Sequence, residues 1–296
     1  MLLSHHDVER FYHILYALLA YTNRKLKIIN NWRNPEDARV HTLREGAEIR
    51  NQFYEHPEVM RQFADENPFE LPLDEIEIVR NWAHFVKGTF YVTKQLKDYA
   101  IFISEDKEPI AYGVTALTST VDDTIDMDLP VMVQAVLLPF EGKIIYDSFL
   151  APYRMSFGRG VRRTFDDAYQ EAKCRHGVVT SLPFTPSEPK NADEEMLKHY
   201  LKSEENREMH WDDIQDILDR DPSLVATYHQ EMGKTHARKL RRRLKDCGVR
   251  SAWFAILNGL IIASGTTEQE ARGAAAGLVP DEKREHIHVF QHREGK

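Results

Sequence analysis

Residues 129–182 read LPVMVQAVLLPFEGKIIYDSFLAPYRMSFGRGVRRTFDDAYQEAKCRHGVVTSL. Two apolar runs, 131–138 and 143–147, are rich in valine, isoleucine and leucine and meet at the turn Pro139-Phe140-Glu141-Gly142, so the spacing predicts a β-hairpin. A glycine-flanked basic stretch follows, with Arg154, Arg159, Arg162 and Arg163 ahead of Thr164. Thr164 and Asp167 stand at capping-box spacing, which predicts a helix starting at Thr164.

Upstream, 89–93, 99–103 and 109–114 are short, β-branched and aromatic, with polar turns between them, and predict three more strands without crossover helices. Such a series favours an antiparallel meander. The first ninety positions have a different period. Val8, Phe11, Tyr12, Leu15, Leu18 and Leu19 recur at helical steps behind Ser4, predicting a helix over 4–22. Thr42 with Glu45 predicts a second helix ending before Pro57, 57–65 a third, and Asp74 with Glu77 a fourth that stops at Gly88.

Downstream, Pro183, Pro186 and Pro189 mark a linker, followed by an acidic run over 188–221 and a basic run over 234–250, both expected on helices that partly pair with each other. The last fifty positions predict a β-β-α-β module, with Asn258-Gly259 as a type I′ turn and Thr267 with Glu270 as a helix cap. The expected fold is α+β. A helical N-terminal part packs on an antiparallel five-stranded sheet or partial barrel over 1–183, with helices in 1–88 and sheet plus helix in 89–183. A charged helical linker spans 184–248, and the small β-β-α-β module spans 249–296.

The chain of 296 residues is 42% apolar, enough for a substantial core. It has no apolar window of membrane-spanning length and no signal-peptide layout, so a cytoplasmic location and no membrane partner are expected. Cys174 and Cys247 are too few for a disulfide framework or a thiolate zinc site. The net charge of -8 argues against a protein that coats nucleic acid over its whole surface.

The segments Phe11-Tyr12, Asn67-Pro68, Phe85-Val86-Lys87-Gly88, Tyr99-Ala100-Ile101-Phe102, Leu138-Pro139-Phe140, Lys143-Ile144-Ile145-Tyr146-Asp147 and Phe157-Gly158 resemble a family of uncharacterised bacterial proteins over roughly residues 1–183. Some members carry a C-terminal cysteine-rich zinc motif, which this chain lacks. Its tail, 253–289, is instead similar to small β-β-α-β domains. Neither resemblance implies a reaction, so neither carries over a catalytic residue.

Candidate chemistry centres on Arg154, Arg159, Arg162, Arg163 and Thr164. Arginines around a helix start with free N–H groups make an anion site for a phosphate, a nucleic-acid backbone or an acidic partner. The competing expectation is that these arginines pair with Asp147, Asp166 or Asp167. No phosphate-loop fingerprint is present. Asp147 with Glu171 and Lys173 suggests a metal-dependent phosphoryl-transfer or nuclease site, although a Glu-x-Lys unit on a helix points its two side chains about 200° apart. Arg238, Arg241, Arg242 and Lys245 share one helix face and make a weaker case for nucleic acid, with no aromatic residue interleaved. Among the 14 histidines, His286 and His288 are expected on one strand face with His292 nearby, short of a metal-ligand set, and no His-Glu-x-x-His spacing occurs around His5, His6 and His13. Ser148, Ser156 and Cys174 lack the context of a nucleophile. No metal and no cofactor is expected, and the leading expectation is a non-catalytic binding or regulatory protein, compatible with a homodimer.

Overall fold

The computed structural model describes residues 2–155, 157–185 and 191–293. The chain divides into two compact units, Met1–Glu188 and Pro189–Lys296.

In the first unit α1 (His5–Leu26) is the longest helix. Ser4 Oγ accepts from the Asp7 amide at its start, and Lys27, left-handed at φ 55°, ends it. The helix outruns the expected end at Thr22 because Asn23 serves as an anchor: its side chain bonds the backbone of Ile28, Ile29 and Trp32, pinning the following loop to the last turns. α2 (Leu43–Glu55) opens with the Thr42/Glu45 capping box, satisfying two backbone donors reciprocally. α3 (Glu58–Glu66) and α4 (Leu73–Asn81) follow. Gly88 is no helix stop. α4 gives way at Asn81 to a short turn of 3-10 helix over Trp82–His84, and Gly88 lies inside the first strand.

Five strands, β1 (Val86–Gln95), β2 (Ala100–Ser104), β3 (Ala111–Thr115), β4 (Val131–Phe140) and β5 (Lys143–Pro152), pair in a closed circuit β1-β2-β3-β5-β4. The expected all-antiparallel sheet is corrected at one junction, since β3 runs parallel to β5 through Val114↔Ile144 and Thr115↔Ile145. The reason is one of parity. Alternating directions cannot be kept around a ring with an odd number of strands, so one neighbouring pair must be parallel. Helix α5 (Val121–Ile125) lies between β3 and β4. Glu141 and Gly142, both at positive φ, turn the β4–β5 hairpin as a type I′ pair does. A sixth strand, β6 (Val178–Val179), adds to β3 in parallel. One core joins helices and sheet: Phe11 packs edge-on to Phe140 and beside Trp82, all fully or almost fully buried. α6 (Arg159–His176) covers another face, with Tyr169 and Ala172 on Ile101, Ile103 and Ala111.

In the second unit α7 (Ala192–Tyr200), α8 (Glu204–Met209), α9 (Trp211–Arg220) and α10 (Val225–Asp246) precede a three-stranded sheet. Its strands are β7 (Ala252–Leu257), β8 (Leu260–Gly265) and β9 (His288–His292) in the order β8-β7-β9, with α11 (Glu268–Ala276) between β8 and β9 in sequence. Asn258 and Gly259 turn the hairpin at positive φ, and Thr267 caps α11 through the Glu270 amide. The sheet is covered on both faces. Ala237 and Leu240 of α10 pack on Phe254, Ile256 and Phe290, while Ala275 of α11 packs with Ala255 and Ile287. α10 thus forms a wall of the small module's core. Its Gly233 lets the helix pass so close to β9 that a Cβ there would lie 2.2 Å from the His288 Cβ.

Candidate functional site

The arginine segment is not a loop ahead of Thr164. α6 starts at Arg159, with Gly158 as an extended N-cap that offers no side-chain bond, and its first turn holds no acidic residue. Thr164 is a helix-interior residue whose hydroxyl donates back to the Gly160 carbonyl at 3.4 Å. The earlier start is fixed by tertiary packing: Phe165 sits between Tyr91 of β1 and Phe157, with ring centroids 4.5 Å and 4.9 Å away. Lys94 of β1 then reaches over the Tyr169 ring and bonds Asp166 at 2.9 Å, holding the helix along the strand.

Positions 159 and 162 lie in the first turn of α6 and 163 opens the second, and Arg154 lies just past the end of β5. The side chain of Arg159 and all of Ser156 lie outside the described residues. Arg154 is exposed, and among the described residues it has no carboxylate partner. Arg162 is exposed and spends one donor, Nε, on the Phe157 carbonyl at 3.3 Å. Arg163 is half-buried and already engaged, as is Asp167. Of the other carboxylates expected to consume these arginines, Asp166 is taken by Lys94 and Asp147 by an arginine from α2. The exposed apolar side chains of Tyr153, Met155 and Val161 are interspersed in sequence with the arginines.

Asp147 is the fully buried carboxylate of β5. Arg50 meets it with two prongs, Nε to Oδ2 at 2.5 Å and Nη2 to Oδ1 at 2.8 Å, and the guanidinium lies over the rings of Tyr54 and Phe149. Burial pushes the Asp147 carboxyl above its ordinary range, and Arg50 opposes that shift without cancelling it. Burial together with the Asp147 charge pushes the Tyr54 hydroxyl well above 10. A carboxylate held this way cannot accept a metal ion without surrendering Arg50. Glu171 is paired with Arg175 at 3.0 Å on α6, and no group of three metal-ligating side chains occurs among the described residues. Asp147 and Glu171 are thus each engaged by an arginine, Arg50 and Arg175. Arg50 was not legible as its partner, since nothing near it in sequence points to a residue 97 positions away.

On α10, Arg241 donates from Nε to the Gln291 carbonyl at 3.1 Å and lies over the Phe290 ring, and Arg238 donates to the Lys202 carbonyl at 3.4 Å. Arg242 and Lys245 are exposed. The acidic and basic runs do pair in part, through Lys239 with Glu204 at 2.5 Å. A groove of about 440 Å³ opens beside this helix, lined by Lys234, Arg238 and Arg241 on one side and Trp253, His288 and Gln291 on the other.

The histidines are placed otherwise than expected. His286 ends a 3-10 turn (Asp281–His286) and stacks on His229 of α10 at 4.0 Å, so it shares no strand face with His288. His288 faces Gln230, with Nδ1 at 3.3 Å from Oε1, and His292 Nε2 reaches the Val249 carbonyl. At the other end of α10, His229, His236 and His286 line a cleft of about 210 Å³ with Tyr228 and Met232. Among the described residues no helix is long and apolar enough to cross a membrane. No family model, no curated protein and no solved structure matches the chain.

Proposed function

We propose that the protein is a non-catalytic binding protein whose surface at the start of α6 receives a phosphate-bearing ligand or an acidic partner. The observation that supports this reading is the distribution of charge there. Asp147 and Asp166 are taken by Arg50 and Lys94, which leaves Arg154 and Arg162 exposed and, among the described residues, without carboxylate partners, beside a helix start with no side-chain cap. The free amides and the positive end of the helix dipole add to the attraction for an anion. Arginine forks match phosphate oxygens in pairs, so the contact gains direction as well as charge. Exposed Tyr153, Met155 and Val161 favour a ligand with an apolar part, such as a phosphorylated segment of another protein.

Tripolyphosphate is the simplest probe. At a hundredfold excess over its dissociation constant it should stabilise the fold by about 2.7 kcal/mol, raising the melting temperature by roughly 5–10 °C. Arg154→Ala combined with Arg162→Ala should remove that shift. The reading fails if the wild-type protein gives no shift at low salt, or if the double variant shifts as much as the parent.

A further inference from the structure

We propose that the groove between α10 and β9 binds single-stranded nucleic acid, with phosphates on Arg238 and Arg241 of its lining and running on to exposed Arg242 and Lys245 farther along α10, and a base against Trp253. The groove shares no residue with the α6 surface, so either site can fail without the other.

The cations set the first part of the case. Arg238, Arg241, Arg242 and Lys245 recur at three- and four-residue steps, about 6 Å per four residues along a helix, a spacing comparable to that of phosphates on an extended strand. Among the described residues none of the four meets a carboxylate, whereas Lys234 and Lys239 on the same helix are paired with Glu231 and Glu204. Arg241 is preorganised. Its Nε is fixed on the Gln291 carbonyl and its plane rests on Phe290, so the terminal nitrogens hold their orientation before any ligand arrives. Burial holds the His288 imidazole of the groove below its ordinary pKa, with Lys234, Arg241 and Arg272 adding to that and Glu231 opposing it.

The choice of ligand follows from the rest of the lining. The helix alone offers no aromatic residue among its cations, but the sheet supplies Trp253 to the same groove. Trp253 alternates with Phe254, which packs under α10, so its indole meets the groove from the other face of the sheet, where it gives a base a stacking surface that paired bases inside a duplex cannot use. An acidic peptide adding as a strand to β9 is the rival, and the edge of β9 argues against it. Gln230 Nε2 donates to the Ile287 carbonyl at 3.0 Å and Arg241 Nε to the Gln291 carbonyl, so both ends of that edge are already capped by side chains. A peptide would have to displace both, while phosphates need only the outward guanidinium nitrogens.

The test uses the full chain and fluorescein-labelled oligouridylate of about ten nucleotides, within the usual site size for single strands, read by anisotropy and by tryptophan fluorescence. Wild type should bind with quenching of tryptophan emission and should prefer the single strand to a duplex of equal length. Arg238→Ala with Arg242→Ala should weaken binding about tenfold and reduce the salt slope by about 1.4, two phosphate contacts at about 0.7 each. Trp253→Leu should abolish the quench, and Arg80→Ala on α4 of the first unit should change nothing. Circular dichroism confirms that each variant is folded, and Arg238→Ala with Arg242→Ala carries the test if Trp253→Leu is not. The proposal is overturned if wild type does not bind at low salt, if Arg238→Ala with Arg242→Ala binds as wild type does, or if Arg154→Ala with Arg162→Ala accounts for the whole affinity. It is equally overturned if an acidic peptide binds in the groove and the oligonucleotide does not.

Discussion

Replacing Arg50 by alanine probes the most deeply buried charge of the first unit. Asp147 has no solvent exposure, and Arg50 supplies both of its strong hydrogen bonds, while the Phe149 amide lies at a marginal 3.4 Å. Stripping one partner from such a pair costs about 3–5 kcal/mol, equivalent to a fall of roughly 6–20 °C in the midpoint for a unit of this size. The sign of the Asp147 shift adds a second arm. Its folded pKa lies above the unfolded value, so its contribution is complete below about 3.9 and is lost as pH rises through the folded pKa. The buried pair is thus held by geometry against a desolvation cost, and Arg50→Met with Asp147→Leu should be neutral or gain about 1–4 kcal/mol. Scanning calorimetry of wild type, Arg50→Ala, Arg50→Met, Asp147→Leu and the double variant measures all of this, the last three closing a mutant cycle with wild type. A loss below about 1 kcal/mol for Arg50→Ala, the size expected of an exposed pair, would mean that Asp147 does not depend on Arg50 for its place in the core.

The second unit should lose stability in mild acid. His229 is held below its ordinary pKa by burial and by His286 and Lys283, His236 by burial and by Arg207 and Lys239, and His288 by burial and by Lys234 and Arg241. Each binds its proton less readily folded than unfolded, so the stability is complete above about 6.5 and is lost as pH falls below it; a melting temperature that stays level from neutral pH to about 5.5 would contradict this. Gly233→Ala should destabilise, although alanine is the better helix former by about 1 kcal/mol. The new Cβ would meet His288 at 2.2 Å and force α10 off β9, a loss of about 1–3 kcal/mol visible in thermal unfolding.

Local chemistry was legible in the sequence, and relations between distant segments were not. The Thr42/Glu45 box, the Thr267 cap and the Asn258-Gly259 turn each depend on a few adjacent residues, so their side chains announce them. The same logic misplaced the start of α6. Thr164 and Asp167 have capping spacing inside a helix whose true beginning depends on Phe157, Phe165 and Tyr91 coming together, and Gly158 carries no side chain to signal it. Gly88 misled for a similar reason, because its role is set by the pairing of β1 with β4. The arginine pattern was visible, but the competition for carboxylates that decides its state was not, since Arg50 and Lys94 reach Asp147 and Asp166 from elsewhere in the chain. Trp253 likewise joins the cations of α10 only through the fold.

The odd ring of strands also dictates an order of assembly. The meander β1-β2-β3 and the hairpin β4-β5 each close through short connections, so either piece can form early. The two remaining seams, β1 with β4 and β3 with β5, join segments much farther apart in sequence. They belong to opposite edges of the same two pieces, so one docking event must zip both. Until it does, the outer edges of β1 and β3 stand open to strands of other molecules. The speed of that docking sets how long a newly made chain is exposed to aggregation.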